Sequence, residues 1–396
     1  MIMKKEYKEL TPPERILMGP GPSNVDPAVL KAMATPLIGH LDPEFLTLMN
    51  DCMELLRYLL ETENRITIPI SGTGSAGMET MLVNLIEEGD SVVVGVSGLF
   101  GERMCDLVER CGGRLHRVDV EWGKIIEPGQ IRTALKEHDP ALVLIVHAET
   151  STGVSQPLEE IGQLVREHGA LLGVDAVTSL GGIPVEMDAW LIDALYSGTQ
   201  KCISAPPGLA PVSLNRRAER RLEKRASRVQ SWYLDLSMIK DYWGEERFYH
   251  HTAPISMIYA LREALRIINR EGLNKRYRRH LHNSEALMAG LEAMGFEAFA
   301  QEGFRLPMLN AVKIPAGVNE SAVRSRLLHE YNIEIGGGLG KLAGKIWRIG
   351  LMGASSTGRN VLTFLGALES VLLKEGVSFP ASGVRAAAEL CNSKTD

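Results

Sequence analysis

The sequence predicts an α/β protein: a large domain with a mostly parallel sheet flanked by helices, followed by a smaller α+β domain. From about residue 65, near-continuous apolar runs of strand length alternate with amphipathic runs of helical length. That alternation indicates parallel strands buried on both faces. After residue 259 the pattern changes to a long charged helical stretch and then to short mixed signals, which are typical of a separate α+β unit.

The individual elements follow from these runs. Predicted strands of the large domain cover residues 66–70, 91–96, 142–147, 170–174 and 191–195, and predicted helices cover 76–86, 100–111 and 158–168. One long helical stretch covers 258–294, and beyond it come strand signals at 296–299, 310–314, 333–335 and 346–349 and helix signals at 321–331 and 358–374. We expect an N-terminal arm at 1–20, a large domain at 21–271, a small domain at 272–377 and a tail without regular structure at 378–396.

Composition excludes several classes of function. The chain has 396 residues and a net charge of -6, so it offers no basic surface for nucleic acid. No apolar run approaches membrane-spanning length, and residues 1–10 are too charged for a secretory signal. The cysteines are scattered, with neither metal-ligand spacing nor a disulfide framework. We therefore expect a reduced, cytoplasmic protein without a metal site.

A lysine and an aspartate follow two neighbouring strands of the predicted sheet. Asp175 ends the run at 170–174, and Lys201 lies in the turn Tyr196-Ser-Gly-Thr-Gln-Lys201. Parallel sheets bind ligands at the carboxyl ends of their strands, so both are expected at one edge. Pyridoxal phosphate needs this pair: an amine for a Schiff base, and an anion that keeps the pyridine nitrogen protonated. Alone, either residue reads as a surface lysine or a turn-forming aspartate.

The segment Gly72-Thr-Gly-Ser-Ala-Gly77 follows a strand and opens a helix, as the dinucleotide fingerprint does. That fingerprint also requires an acidic residue after the next strand, where this chain has Gly95-Val-Ser-Gly98. The free N–H groups of a helix N-terminus favour any phosphate, so a single phosphate fits better than a dinucleotide. A tight turn without ligand remains the alternative.

Seven motifs occur in the order and spacing of a known family. They are Gly19-Pro-Gly-Pro-Ser-Asn24, Gly72-Thr-Gly-Ser-Ala-Gly77, Glu149-Thr-Ser-Thr-Gly153, Val174-Asp-Ala-Val-Thr-Ser179, Ser197-Gly-Thr-Gln-Lys201, Tyr249-His-His-Thr252 and Arg348-Ile-Gly350. From about residue 15 to 373 the chain resembles the class V aminotransferases of PLP fold type I. Within that family it is similar to the alanine–glyoxylate and serine–pyruvate (or serine–glyoxylate) enzymes.

The resemblance implies roles for the matched residues. Lys201 would carry the cofactor as a Schiff base and shuttle the proton, Asp175 would pair with the pyridinium, and Arg348 would bind the substrate carboxylate. The other implied cofactor contacts are phosphate donors at Thr73, Gly74, Ser75 and Gln200, ring neighbours at Phe100, Thr150 and Val177, and Tyr249 and Thr252, which would reach across a homodimer with shared sites.

Three classes of function compete. The first is transamination between alanine or serine and glyoxylate or pyruvate, with (S)-ureidoglycine as an alternative donor. The second is cysteine desulfuration, which needs a nucleophilic cysteine near the site, whereas residues 272–377 contain no cysteine. The third is a nicotinamide-dependent enzyme or a catalytically silent scaffold.

Overall fold

The protein is described by a computed structural model that covers residues 7–391. Predictions for residues 1–6 of the arm and 392–396 of the tail lie outside the described residues. The helices are α1 (Pro27–Met33), α2 (Pro43–Leu60), α3 (Gly74–Leu85), α4 (Leu99–Arg110), α5 (Pro128–His138), α6 (Glu159–His168), α7 (Arg216–Glu223), α8 (Leu236–Trp243), α9 (Ile255–Glu271), α10 (Leu273–Ala293), α11 (Glu320–Tyr331), α12 (Gly358–Lys374) and α13 (Gly383–Cys391).

The strands of the described residues have two to six residues each. They are β1 (Ile16–Leu17), β2 (Ile66–Ser71), β3 (Ser91–Val96), β4 (Arg114–Asp119), β5 (Leu142–Val146), β6 (Ala148–Glu149), β7 (Val154–Ser155), β8 (Leu171–Asp175), β9 (Ala194–Tyr196), β10 (Leu209–Leu214), β11 (Leu309–Lys313), β12 (Ile333–Glu334), β13 (Gly336–Gly337) and β14 (Ile346–Gly350).

The large sheet has the strand order β2-β10-β9-β8-β5-β3-β4. Only β10 runs antiparallel to its neighbours, and the other pairs are parallel. Strands β3, β5 and β8 are buried along their whole length because helices cover both faces. The predicted α/β class with a mostly parallel sheet is confirmed.

The register of this sheet brings the predicted site to one edge. Asp175 is the last residue of β8, paired with Val146 of β5 on one side and with Tyr196 of β9 on the other. Lys201 follows β9 in the next turn. Because parallel strands end at the same edge, the acid and the amine lie on the same side of the sheet.

A second hydrophobic core lies apart from the first. Its central side chains, Trp347 and Phe364, are buried beside an antiparallel sheet of the order β11-β14-β13. Met18 also belongs to this core, since β1 pairs with β12 in parallel, Ile16 opposite Ile333. The start of the chain is therefore anchored on the C-terminal part of the fold.

Several elements differ from expectation. The prediction that the tail lacks regular structure is wrong for α13, which packs so closely on α10 that a Cβ on Gly383 would lie 2.6 Å from the Gly290 carbonyl oxygen. Because glycines form this contact, the hydrophobic pattern of the sequence gives little indication of the helix. The long helix predicted for 258–294 is broken at Gly272, which has φ 81°. Helices α1, α2, α5 and α8 and strands β1, β4, β6, β7, β10 and β13 were not predicted. The strand predicted at 296–299 is wrong, since Ala298 forms only an isolated bridge with Val312. Within residues 7–391 no helix has the length and apolarity to cross a bilayer.

Candidate active site

Asp175 is a buried carboxylate that has no basic side chain in direct contact within residues 7–391. Its Oδ1 accepts a hydrogen bond from the Val177 amide at 2.8 Å, and its Oδ2 accepts one from the Tyr196 hydroxyl at 2.5 Å. Burial raises the pKa of Asp175 to about 6, although the bond from Tyr196 opposes that rise. A carboxylate in this position is available to a cationic ligand.

Lys201 faces the same edge and is 8% exposed. Its Nζ donates to the carbonyl oxygen of Pro20. Burial, and then the charge of Arg348, lower the pKa of Lys201 to about 8, while the charge of Asp175 opposes both effects. The amine is therefore closer to its neutral, nucleophilic form than an exposed lysine is.

The segment from Gly19 to Asn24 lies against the Lys201 turn. Gly21 has φ 104°, and a Cβ there would lie 2.7 Å from Lys201 Nζ, so the close approach requires glycine. Ser23 donates from its amide to the Gln200 carbonyl at 2.9 Å and from its hydroxyl to the Lys201 carbonyl at 2.8 Å. These contacts give the motif a structural role that the sequence did not reveal.

The glycine-rich segment forms a helix N-terminus beside this turn. Helix α3 begins at Gly74, and the side chain of its N-cap, Thr73, makes no capping bond. Thr73 and Ser75 are exposed, so the polar groups of this first turn are accessible to a phosphate. Gly74 packs on Val177, and a Cβ on Gly74 would lie 3.3 Å from it.

Gln200 supplies an unsatisfied polar atom at the same place. Its Oε1 is buried and has no hydrogen-bond partner among the residues that the structure describes. A Cβ on Gly198 would lie 2.8 Å from this oxygen. Because a buried amide without a partner is unfavourable, the group calls for a ligand or a water.

Thr150 and Phe100 border the site on another side. The Thr150 hydroxyl lies 2.5 Å from that of Thr178. Phe100 is half-buried near the start of α4, with the guanidinium of Arg103 4.9 Å from its ring centre. Thr150 directly follows β6, and the Phe100 amide donates to Glu149 within β6. The Thr150 carbonyl also accepts a hydrogen bond from Arg348, which belongs to β14 beside the second core.

Arg348 comes from β14 and is 5% exposed. Its Nε donates to the Gly337 carbonyl at 2.8 Å and its Nη1 to the Thr150 carbonyl at 3.2 Å. Among residues 7–391 it forms no ion pair with a carboxylate. Burial lowers the pKa of Arg348 to about 10, and the charge of Glu149 opposes that shift.

Tyr249 and Thr252 lie elsewhere, on the surface. Their hydroxyls are 3.5 Å apart, Tyr249 is 61% exposed, and its ring centre is 5.5 Å from that of His40. Neither residue belongs to the hydrogen-bonded cluster around Lys201 within the described part of the chain. The sequence also missed Tyr196 and gave Glu149 no role, although both stand inside quoted motifs.

The groups present fit pyridoxal phosphate: an amine and a carboxylate at one sheet edge, and a helix N-terminus that is accessible to a phosphate. They define an enzyme that depends on this cofactor, of fold type I. The family Aminotransferase class-V matches residues 17–347, and the chain belongs to that family. It is therefore a pyridoxal phosphate-dependent transaminase acting on an amino acid and a 2-oxo acid.

Three relatives illustrate the likeness. The (S)-ureidoglycine–glyoxylate transaminase of Bacillus subtilis is 43% identical, covering 96% of each chain. The alanine–glyoxylate aminotransferase of Rattus norvegicus is 40% identical, covering 92% of this chain and 89% of the relative. The crystal structure of alanine–glyoxylate aminotransferase from Nostoc sp. superposes with a TM-score of 0.92 at 50% identity, covering 93% of this chain and 98% of that one.

Proposed function

We propose that the enzyme transfers the amino group of a small amino acid, alanine or serine, to glyoxylate or pyruvate. The observation that carries this proposal is Arg348, a buried guanidinium whose hydrogen bonds go to the neutral carbonyls of Gly337 and Thr150. A substrate carboxylate supplies the missing anion, and amino acid and 2-oxo acid both carry one. The named alanine–glyoxylate relatives support small partners.

The surroundings of Lys201 and Asp175 are consistent with the roles that we propose for them. Pyridoxal phosphate, when bound, supplies an aldehyde carbon that takes up the amino group and a ring that accepts electrons. The Lys201 amine would hold the cofactor and would move the proton at the substrate Cα. The Asp175 carboxylate would keep the pyridine nitrogen protonated.

The remaining contacts orient the cofactor. Thr73, Gly74 and Ser75 donate hydrogen bonds to the phosphate from the start of α3, and the Gln200 amide adds another. Phe100 and Val177 would pack against the ring of the cofactor, and the Thr150 hydroxyl would bond to its ring oxygen. Packing of this kind would limit the movement of the cofactor relative to Lys201.

Lys201→Ala tests the central assignment. We expect turnover to disappear while the melting temperature stays close to the wild-type value, because the variant loses only the reactive amine. Lys224→Ala, at an exposed lysine on the opposite side of the sheet, serves as the control and should be fully active. Appreciable transamination by Lys201→Ala would sink the assignment.

A second donor, (S)-ureidoglycine, is supported by the Bacillus subtilis relative. A panel of alanine, serine and (S)-ureidoglycine, each assayed with glyoxylate and with pyruvate, separates the two proposals. We expect kcat/KM to be highest for alanine or serine. A clear preference for (S)-ureidoglycine would replace our first choice with the second.

We also propose a homodimer in which each site is completed by the neighbouring subunit. Tyr249 lies in an exposed apolar area with Phe248 and Trp232, which are 61% and 62% exposed. A contiguous aromatic surface of this kind is typical of a protein interface. Tyr249 and Thr252 then reach the cofactor phosphate of the partner chain rather than that of their own.

Subunit mixing tests this arrangement. Lys201→Ala subunits and subunits with both Tyr249→Phe and Thr252→Ala are expected to be inactive or severely impaired alone. After exchange, each heterodimer holds one intact site, so activity should partly return. A fully active monomer by sedimentation, or no recovery in proven heterodimers, would contradict shared sites.

A further inference from the structure

Glu149 is a fully buried carboxylate to which the proposed chemistry gives no task. It is 0% exposed and, within residues 7–391, it forms no ion pair. Its Oε1 accepts hydrogen bonds from the Ser151 amide at 3.0 Å and the Ser151 hydroxyl at 2.5 Å, and its Oε2 accepts one from the Phe100 amide at 3.2 Å. Because burying a carboxylate is unfavourable, these bonds need an explanation beyond packing.

The bonds from Phe100 and Leu99 cap helix α4 from a distant segment. The first N–H groups of a helix have no partner within it, and the N-cap residue here, Gly98, has no side chain to offer. Instead, the Leu99 amide donates to the Ser151 hydroxyl at 2.9 Å, and the Phe100 amide donates to Glu149. A Cβ on Gly98 would lie 2.3 Å from Glu149 Cγ, so glycine makes room for the carboxylate.

Thr150 lies between the two capping residues. Its carbonyl accepts a bond from Arg348 Nη1 at 3.2 Å, and its hydroxyl lies 2.5 Å from that of Thr178. The orientation of this peptide therefore depends on the bonds made by Glu149 and Ser151 on either side. The Glu149 carboxylate thus holds Phe100 at the start of α4. It also helps to hold the Thr150 carbonyl, which orients Arg348.

We propose that Glu149 is a positioning residue for transamination, holding Phe100 and the Thr150–Arg348 contact in the geometry that cofactor and substrate carboxylate require. The inference rests on the proposed function, because it assumes the roles given there to Phe100 and Arg348. Glu149 acts through these two residues and does not itself contact the reacting atoms. A carboxylate suits this position because both of its oxygens face N–H or O–H donors.

Glu149→Gln in the holoenzyme tests the proposal with almost no change of shape. The new amide presents an NH₂ group to at least one of the donors, which must then move or lose its partner. We expect kcat/KM to fall roughly 10- to 100-fold, the effect of a misplacement of about 1 Å. KM for the amino donor should rise, and the visible circular dichroism of the bound cofactor should change. Unchanged KM and circular dichroism would overturn the proposal.

Ser151→Ala is the second variant, for the case that Glu149→Gln does not fold. It removes the hydroxyl that links Glu149 to the Leu99 amide while keeping the carboxylate. The same changes in KM and circular dichroism are expected with smaller amplitude. If Ser151→Ala left both at their wild-type values, the capping bonds would have no bearing on the site, and the proposal would be wrong.

Asn215→Ala is the matched control for the loss of a helix cap. Asn215 accepts bonds from the Arg217 and Ala218 amides at the start of α7. It follows Leu214, which pairs with the first residue of β9, at the opposite edge of the sheet from Lys201. Its loss should lower the melting temperature and leave KM and circular dichroism unchanged. Equal changes in Asn215→Ala and Glu149→Gln would mean a general loss of stability and would overturn the proposal.

Arg348→Lys in the same assay separates this inference from the proposed function. If Arg348→Lys leaves KM unchanged, the proposed carboxylate site is wrong and the role of Glu149 loses its basis. If Arg348→Lys raises KM while Glu149→Gln does not, the carboxylate site stands and only the positioning role fails. A rise of KM in both variants supports both proposals.

Discussion

Two buried arginines, Arg348 and Arg276, differ in how their positive charge is compensated. Both are nearly inaccessible, 5% and 3% exposed, and both donate to backbone carbonyls of the large sheet domain. Arg276 binds the carbonyls of Gly181 and Cys202 and also the Glu271 carboxylate, at 2.7 Å. Arg348 binds only carbonyls among the described residues. Within residues 7–391, Arg276 has a carboxylate in direct contact and Arg348 does not.

This difference supports a structural role for Arg276 and the proposed carboxylate-binding role for Arg348. Leaving a charge buried without a counterion is strongly unfavourable, and burial lowers the pKa of both side chains. In the Arg276 region, Glu271 also binds Arg279 at 2.6 Å, so a complete network exists before any ligand arrives. In the Arg348 region the described residues supply only carbonyl oxygens, and the carboxylate of a bound substrate is our proposed counterion.

Arg348→Gln is expected to have the largest effect, and that effect should fall on substrate binding. Loss of the cation removes about 4 kcal/mol of binding to the substrate carboxylate in the transition state, which is roughly a thousandfold in kcat/KM. The melting temperature should stay constant or rise, since an uncompensated buried charge is removed. Steady-state kinetics and thermal unfolding measure the two effects. A kcat/KM within threefold of wild type would contradict the assignment.

Glu271→Gln should affect the stability of the fold rather than substrate binding. It leaves Arg276 buried without its anion, so the free energy of unfolding should fall by about 3 kcal/mol. KM for the amino donor should change little. Glu263→Gln, which removes a more exposed pair with Arg266 on the same helix, should lower stability by less than about 1 kcal/mol. Equal losses in the two variants, measured by urea unfolding, would show that burial of Arg276 carries no special cost.

The structural role of the Glu271 pair also predicts a smaller effect, a dependence of the stability of the fold on pH. Burial alone would raise the pKa of Glu271, but the hydrogen bond from Arg279 and the charges of Arg276 and Arg279 outweigh it and lower the pKa to about 2. A carboxyl with a lowered folded-state pKa stabilises the fold above its unfolded pKa, about 4.3, and loses that effect as pH falls toward 2.

The stability advantage of wild type over Glu271→Gln should therefore shrink by about 1 to 2 kcal/mol between pH 6 and pH 3. Urea unfolding of both proteins across this range gives the difference directly. An advantage that stays constant with pH would mean that Glu271 titrates alike in the folded and unfolded chains, and that its pairing with Arg276 and Arg279 adds nothing.

Local patterns predicted the parts of the fold that depend on local sequence. The buried parallel strands and the lysine–aspartate pair could be read because apolar runs and strand ends are contiguous in the chain. Strand β10 could not, because Pro211 argues against a strand with two neighbours. In the sheet, Pro211 lies opposite Pro69 of β2. Such a match between two distant prolines is invisible to a reading of either run.

The site shows the same limit. Lys201, Asp175 and Arg348 stand in short recognisable motifs, so their residue types could be interpreted. The bond from the Phe100 amide to Glu149 joins residues 49 positions apart, and the cap it provides replaces a side chain that Gly98 lacks. Nothing in the sequence near Gly98 identifies where its substitute comes from, so that contact required the three-dimensional structure.

The pairing of β1 with β12 bears on how the enzyme is made in the cell. Residues 16–24 leave the ribosome early, yet Ile16 pairs with Ile333, and the Met18 carbonyl accepts a bond from the Gly350 amide at 2.7 Å. The same segment continues to Ser23, which binds the Lys201 turn. Synthesis proceeds from the N-terminus, so this segment must wait for nearly the whole chain before it finds its partners. Lys201, the proposed Schiff-base lysine, thus obtains its final surroundings only after translation has passed residue 350, because the segment that packs against its turn is held by Ile333 and Gly350.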